Sequence, residues 1–247
     1  MQTVTEGLVL REVKVGEADR ILTILTPDKG VISASAKGSL RLKNKLFSAC
    51  GLFCYSEFTL TPARSVWTVD EAQVKQVFHG LSSSIEGVSL AMYLAELVLA
   101  MPPETAEAPL QLRLLLNSLY LIAQGKKDLH QIKAVFELRF LSQGGYMPDL
   151  LCCKGCGKYD GGDFWLDAED GSLLCRECAA RAGRPVNLDS GALVALRHIC
   201  LVEDKKIFAF TLGSRSLGLL GQAAEWYALT HAGKNLRTLD FLHGVML

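Results

Sequence analysis

Four cysteines occur in two Cys-x-x-Cys pairs, and their spacing suits the coordination of one metal ion. The pairs are Cys153 with Cys156 and Cys175 with Cys178, and 18 residues separate them. In zinc sites of this pattern, two thiolates on one tight turn hold one side of a tetrahedral ion and the second turn closes the other side. Four thiolates leave no coordination position for water, so the pattern predicts one structural Zn²⁺. The alternative is four unpaired buried cysteines or a redox pair. Two Cys-x-x-Cys pairs at this separation rarely arise by chance, which favours the metal site.

The other four cysteines differ in context. Cys152 adjoins the first pair and offers a second register, because its spacing to Cys156 is tolerable, though less typical. Cys50, Cys54 and Cys200 have no such neighbours, and we interpret them as core residues. A cytosolic enzyme with a thiol nucleophile at Cys152 or Cys200 is an alternative hypothesis.

A run of cations between residues 37 and 45 contains no acidic residue. A loop of this kind can follow the phosphate backbone of any nucleic-acid sequence. Two further cations lie upstream, on the predicted first two strands, and we expect them to face the same side. The candidate nucleic-acid-binding residues are therefore Lys14, Arg20, Lys37, Arg41, Lys43 and Lys45. The alternative is a solvated loop, which composition alone favours.

The overall composition narrows the class of protein. Hydrophobic residues make up 49% of the 247 residues, which indicates a packed core. Lys and Arg together number 26, as do Asp and Glu, so any nucleic acid must be bound by a local patch. The N-terminus lacks the pattern of a secretory signal, and the most apolar stretch, residues 88–101, is too short to span a bilayer. We therefore expect a cytoplasmic protein with no membrane partner.

Common catalytic motifs are absent from the sequence. It contains no GxSxG, HExxH, Walker A or GxGxxG pattern, and the five histidines show no pairing with a nucleophile or at metal-ligand spacing. We therefore predict that the protein is not an enzyme and has no small-molecule substrate.

The elements that must position these residues fall into two parts. Residues 1–80 contain five short β-rich runs, at 7–10, 21–26, 31–36, 53–60 and 66–69, with a hairpin turn at 27–30. Five strands of this length are typical of the oligonucleotide-binding (OB) fold, although a five-stranded sandwich would give a similar pattern. The remainder predicts five helices, at 85–101, 110–123, 129–143, 190–202 and 217–232.

Helix-capping residues mark where two of these helices begin. Ser82, Ser83 and Ser84 precede the first helix, with Glu86 placed for a capping box, and Asp189 precedes the fourth. The predicted fold class is an α+β multidomain protein, with an N-terminal five-stranded OB-fold β-barrel and an all-helical C-terminal domain that contains an inserted four-cysteine zinc knuckle. The predicted domains are residues 1–80 (OB fold), 81–149 (helical, first part), 150–184 (zinc segment) and 185–247 (helical, second part).

Four segments follow one another in a recognisable order along the chain. They are residues 16–26 with Gly30 and 36–38; 136–141 with 145–150; Cys153-x2-Cys156-Gly157; and 236–242. Together they resemble the RecO family of bacterial recombination mediators. The resemblance implies an OB barrel, a helical domain with a zinc knuckle, and a role in DNA repair by homologous recombination. It implies binding of single- and double-stranded DNA, annealing of complementary strands and association with the nucleoid. It also implies that, with the partner RecR, the protein helps to load RecA onto strands coated by single-strand-binding protein (SSB).

The resemblance also assigns individual residues. It places the DNA-binding patch of the barrel on Arg20, Lys37, Arg41, Lys43 and Lys45, which favours DNA contact over a merely solvated loop. It places Arg139 near a groove that takes the acidic C-terminal tail of SSB, since a guanidinium suits a terminal carboxylate. For Arg139 the alternative is a salt bridge on the helix surface. For the whole chain, the alternative is an RNA-binding zinc-ribbon protein of transcription or translation.

Overall fold

A computed structural model describes residues 2–64 and 66–246. The chain forms two compact units. The first unit runs to Ala123 and includes the stretch from Leu242 onward, and the second comprises Gln124–Phe241. No helix within the described ranges is long and apolar enough to cross a membrane. The four domains predicted above follow element type rather than compactness, and that division remains a prediction.

Five strands of the first unit close into a barrel. They are β1 (Thr3–Val15), β2 (Asp19–Thr26), β3 (Gly30–Ala36), β4 (Tyr55–Pro62) and β5 (Trp67–Gln76). The strand order is β1-β2-β3-β5-β4, and β4 pairs with β1 to close the ring. Neighbouring strands are antiparallel except β3 and β5, which run parallel. A short helix, α1 (Leu46–Ala49), connects β3 to β4. This closed topology confirms the predicted OB fold over a sandwich.

The barrel core is built from apolar side chains that alternate along the strands. Leu22 and Ile24 of β2 and Phe58 and Leu60 of β4 are fully buried, as the two-residue period of a strand requires. Gly7 of β1 has no room for a side chain, because a Cβ there would lie 2.5 Å from Cγ2 of Ile24. The core therefore fixes which residues of each strand face outward.

Two helices follow the barrel within the first unit. They are α2 (Ile85–Ala100) and α3 (Ala108–Gln124). The Gly87 amide donates a hydrogen bond of 3.0 Å to Oγ of Ser84, which confirms a serine N-cap for α2. In this register Gly87 is the third helical residue. The capping box predicted for Glu86 is therefore wrong, since it requires the acidic residue at that third position.

The second unit is helical and contains a small two-stranded ribbon. Its elements are α4 (Leu129–Gln143), β6 (Phe164–Leu166), β7 (Leu173–Cys175), α5 (Arg176–Arg181), α6 (Ser190–Leu201) and α7 (Ser214–Ala232), and α8 (Arg237–Val245) follows toward the end of the chain. The Ala192 amide donates a hydrogen bond of 2.8 Å to Oδ1 of Asp189, which confirms the predicted cap of α6. β6 and β7 pair antiparallel and form the ribbon, which lies between the two cysteine pairs.

Helix α4 lies at the centre of the second unit. It is buried on every face from Gln131 to Leu138, which includes charged residues. Nζ of Lys133 lies 2.7 Å from Oε1 of Glu137 and 2.7 Å from Oε2 of Glu225 on α7. Burial lowers the pKa of Lys133, but the two carboxylates raise it overall, so the ammonium stays charged. The pair with Glu225 holds α4 against α7.

Candidate metal centre and nucleic-acid interface

The four cysteines of the two Cys-x-x-Cys pairs converge in the second unit. The sulfurs of Cys153, Cys156, Cys175 and Cys178 all lie within 4.8 Å of one another. The sulfurs of Cys156 and Cys175 are 3.6 Å apart. A tetrahedral ion with metal–sulfur bonds of about 2.3 Å requires sulfurs about 3.8 Å apart, so the cluster can hold one metal ion.

The backbone around the first pair is shaped to present the sulfurs. The Gly157 amide donates a hydrogen bond of 2.8 Å to the carbonyl of Cys153, which closes the tight turn. Gly157 has φ of +75°, a conformation that favours glycine. At Gly155 a Cβ would lie 3.0 Å from Sγ of Cys178, so a side chain there would crowd the cluster. The Cys175 amide also donates to Sγ of Cys153 at 3.2 Å.

The titration of the thiols favours a cation at this point. Burial raises the pKa of Cys153, but the amides of Cys175, Gly155 and Cys156 outweigh it and bring the pKa down to about 6. The Lys158 amide lowers the pKa of Cys156, but the neighbouring thiols raise it to about 12. One sulfur is thus readily a thiolate and its neighbour resists the same charge. A bound cation removes this repulsion, so that Cys153 and Cys156 can both be thiolates.

The register of the site follows from the geometry. Among the described residues, the cluster contains Cys153 and not Cys152, which is half-buried. The exposed fractions of Cys50, Cys54 and Cys200 are 0%, 3% and 5%, which confirms the prediction that they are core residues. Burial raises the pKa of Cys50 to about 12 and that of Cys200 to about 11.

Arg197 of α6 fastens the cysteine segment to the helices. Its Nε donates a hydrogen bond of 2.9 Å to the carbonyl of Leu150, and its Nη2 donates one of 2.7 Å to the carbonyl of Tyr159. Its guanidinium also lies 4.1 Å from the centre of the Tyr159 ring. The sequence analysis did not identify Arg197. The available signal was a single arginine among the apolar residues of a predicted helix.

The predicted cations of the barrel lie at the end where the β1–β2 turn meets the loop after β3. We call residues 37–45 the basic loop. Five of the six predicted side chains are exposed: Lys14, Lys37, Arg41, Lys43 and Lys45. In an OB fold, the loop between the first two strands belongs to the surface that binds oligonucleotides. The basic loop extends that surface with positive charge.

Hydrogen bonds hold the basic loop to the β1–β2 turn and to itself. The Gly38 amide donates to Oδ1 of Asp19 at 2.7 Å, and the Leu40 amide donates to the carbonyl of Ala18 at 2.8 Å. Nδ2 of Asn44 donates to the carbonyl of Gly38 at 2.9 Å, which closes the loop. The basic loop is therefore a defined structure and not a flexible tether. The sequence analysis missed Asp19 and Asn44, since their partners are distant carbonyl and amide groups.

Arg20 is placed differently from the other five cations. It is only 7% exposed. Its Nε lies 3.3 Å from Oε2 of Glu12, and its Nη1 donates a hydrogen bond of 3.0 Å to the carbonyl of Phe47. The guanidinium also lies 5.4 Å from the centre of the Phe47 ring. Arg20 thus ties β2 to the start of α1, directly after the basic loop.

Arg139 of α4 makes several contacts within the second unit. Its Nη2 donates a hydrogen bond of 2.7 Å to Oδ1 of Asp204. Its Nη1 donates to the carbonyl of Cys200 at 2.8 Å and to that of Ile199 at 3.1 Å, at the carboxyl end of α6. The guanidinium therefore forms a salt bridge that is largely buried rather than on the helix surface, and it caps α6; binding of the SSB tail near Arg139 stays a prediction.

Comparison with known protein families covers nearly the whole chain. The family described as Recombination protein O N terminal matches residues 1–78, and the one described as Recombination protein O C terminal matches residues 82–240. The first match ends within two residues of the end of β5, at Gln76. The second match contains the cysteine cluster.

Individual relatives give the same result. The chain is 34% identical to a protein of Acetivibrio thermocellus named DNA repair protein RecO, over 96% of this chain and 95% of the relative. Proteins of the same name from Dehalococcoides mccartyi and Alkaliphilus metalliredigens are 34% and 35% identical, over 96% and 70% of this chain and 95% and 71% of the relatives. The predicted resemblance is thereby confirmed. The chain belongs to the RecO family of recombination proteins.

Proposed function

We propose that this protein is a DNA-binding recombination mediator that acts in DNA repair by homologous recombination. The observation that carries the proposal is the basic loop, which presents its cations beside the β1–β2 turn of an OB barrel, in a chain whose formal net charge is zero. Membership of the RecO family, whose relatives are named for DNA repair, supports the same function.

The proposed mechanism is electrostatic. Exposed Lys14, Lys37, Arg41, Lys43 and Lys45 contact phosphates and not base edges, so single- and double-stranded DNA of any sequence bind. Arg20 acts as a positioning residue, since its buried guanidinium donates to the Phe47 carbonyl of α1, directly after the basic loop. Two complementary strands on one basic surface repel each other less, which promotes their annealing.

The protein partners follow from the family and not from the geometry. We propose that RecR joins this protein and that together they help to load RecA onto DNA coated by SSB. We also propose that the acidic SSB tail binds near Arg139. The working location would be the cytoplasm, in association with the nucleoid.

We propose that the metal is one structural Zn²⁺. All four donors are cysteine sulfurs, which zinc favours in closed tetrahedral sites. The metal would hold the two turns together and supply folding free energy to the segment around β6 and β7. The cysteines themselves perform no chemistry on DNA in this proposal.

The two rival functions have less support. A thiol enzyme that uses Cys200 would need a nucleophile that is buried, with its pKa raised to about 11. An RNA-binding role is compatible with an OB barrel. Competition of structured RNA against single-stranded DNA for the protein separates the RNA hypothesis from the DNA hypothesis.

The double substitution Lys37→Glu with Arg41→Glu tests the proposed function. We expect at least tenfold weaker binding of a labelled single strand in fluorescence anisotropy. We also expect the slope of log affinity against log salt to fall by about 1.4, since each lost phosphate contact contributes about 0.7. Annealing of complementary strands should slow in parallel.

A matched control reverses the charge of two cations that lie outside the basic loop. Lys126→Glu with Lys205→Glu alters two exposed cations of the second unit and should leave the salt slope unchanged. Equal losses in the two double variants would show that only net charge matters, and this would remove the basic loop from the mechanism.

A further inference from the structure

The basic loop carries an apolar residue at its most exposed point. Leu42 is 82% exposed, more than any other large hydrophobic residue in the described part of the chain. Isolated surface leucines are common and need no explanation by themselves. The surroundings of Leu42 are unusual, however, because its immediate neighbours are the exposed cations Arg41 and Lys43.

The loop backbone keeps Leu42 exposed instead of letting it fold onto the barrel. On its N-terminal side, the Arg41 amide donates a hydrogen bond of 3.0 Å to the carbonyl of Gly38. On its C-terminal side, the Asn44 amide donates one of 2.8 Å to the carbonyl of Arg41. The Leu46 amide donates to Oδ1 of Asn44 at 2.9 Å. The residues on both sides of Leu42 are thus held in place, and its side chain projects from a closed turn.

We propose that Leu42 inserts between adjacent bases of the DNA strand that the basic loop holds. This inference rests on the proposed function, since the flanking cations must first bind phosphates. Arg41 and Lys43 then hold the backbone on either side of Leu42, which places an apolar side chain against the base stack. Apolar wedges between base steps, leucine among them, are an established means by which proteins unstack neighbouring bases of duplex DNA.

Charge complementarity selects DNA as the occupant over an apolar protein surface. A protein partner that buried Leu42 would also have to desolvate the two adjacent cations, which costs affinity unless it supplies acidic groups. A nucleic-acid strand supplies an anionic backbone and an apolar base face within one nucleotide. An unstacked base also exposes its pairing edge, so Leu42 would promote annealing as well as binding.

Leu42→Ala tests this role with a fluorescent base. The ligand is an oligodeoxyadenylate that carries one 2-aminopurine, whose fluorescence rises when it is unstacked. At saturating protein we expect the fluorescence increase seen with the unmodified protein to fall by at least half in Leu42→Ala. We expect affinity to fall by about threefold to tenfold, since part of a leucine side chain is no longer buried. The salt slope should stay the same, because no charge is lost.

A control variant truncates a different exposed aliphatic residue of the barrel. Val4 of β1 is 61% exposed and lies at the end of β1 away from the β1–β2 turn. Val4→Ala should change neither the 2-aminopurine signal nor the affinity. The thermal unfolding midpoint of Leu42→Ala should equal that of the unmodified protein, because an 82% exposed side chain contributes little packing.

The outcomes separate this inference from the proposed function. If the unmodified protein binds the oligonucleotide with a clear salt dependence and Leu42→Ala gives the same fluorescence and affinity, the insertion is refuted and DNA binding stands. If the unmodified protein does not bind the oligonucleotide, the proposed function and the insertion fail together. A lower signal in both Leu42→Ala and Val4→Ala would also refute a specific role for Leu42.

Discussion

At the scale of single residues, Arg139 shows how one guanidinium can be occupied before any partner arrives. Its guanidinium donates short hydrogen bonds to the Asp204 carboxylate and to the Cys200 carbonyl at the carboxyl end of α6. A carboxylate from the SSB tail would therefore have to compete with the Asp204 carboxylate for the same fork of donors. The tail-binding role thus depends on how easily Asp204 can be displaced.

Asp204→Asn tests that competition. The substitution removes the resident negative charge and leaves Arg139 in place. We expect a labelled peptide with the acidic SSB tail to bind about threefold to tenfold more tightly, measured by anisotropy. Glu203→Gln is the matched control, since Glu203 carries the same charge one residue earlier but its side chain is 77% exposed and makes only a 3.7 Å pair with Lys206. Unchanged or weaker peptide binding in Asp204→Asn would assign Arg139 a structural role alone.

The sequence predicted some of these residues for reasons that the structure explains. The cluster of four cysteines was predictable, because spacing along the chain determines which thiols can share one ion. The exposure of the basic loop was predictable from its charge. The burial of Arg20 was not, since its partners Glu12 and Phe47 are brought to it by strand pairing and by the position of α1. The sequence analysis did not select Leu42 as a functional residue, because a single apolar residue within a run of cations matches no known motif.

At the scale of elements, the join between α6 and the cysteine segment depends on Arg197. Its guanidinium satisfies carbonyls on both sides of the first cysteine turn, at Leu150 and Tyr159. The side chain is 8% exposed, so water cannot readily replace these hydrogen bonds. The arginine fork suits two separate carbonyls better than the single ammonium of a lysine does.

We expect Arg197→Met to destabilise the protein by about 2–4 kcal/mol, since the buried carbonyl of Leu150 and the partly buried carbonyl of Tyr159 lose their donor. The free energy of unfolding in urea is the measurement. Zinc-loaded Arg197→Met should also release its metal faster to a chelator, because the turn that carries Cys153 is less firmly held. Arg215→Met is the control, since Arg215 is an exposed arginine on α7. Equal unfolding free energies for the two variants would contradict this account.

Most elements were predictable and the errors have local causes. Helix α4 was predicted with its observed bounds, because Asp128 caps it and Gly144 ends it. Helices α1, α5 and α8 were missed. The four residues of α1 and the six of α5 are too short for a periodic pattern. β1 and β5 extend well beyond their apolar runs, because pairing with neighbouring strands orders polar residues that have no strand signal of their own.

At the scale of the whole molecule, the proposed DNA surface and the metal centre belong to different compact units. The basic loop lies in the first unit, and the four cysteines lie in the second. Although the chain has equal numbers of cations and anions, the basic loop and Lys14 bring five exposed cations to one place on the barrel, which suits the proposed binding of DNA by a local patch. The metal should therefore govern stability and the basic loop should govern DNA affinity.

Metal removal tests this division of roles. We expect the purified protein to contain one zinc per chain by elemental analysis, and a chelator to lower the thermal unfolding midpoint by at least several degrees. Affinity for single-stranded DNA should change less than twofold, since the basic loop is held by Asp19 and Asn44 and not by the metal.

Cys178→Ser should lose the zinc, whereas Cys152→Ser should retain it, because the sulfur of Cys152 lies outside the cluster. A metal-free protein that keeps its unfolding midpoint would exclude a structural metal. A loss of DNA affinity on chelation, with the barrel still folded by circular dichroism, would place part of the DNA surface on the second unit.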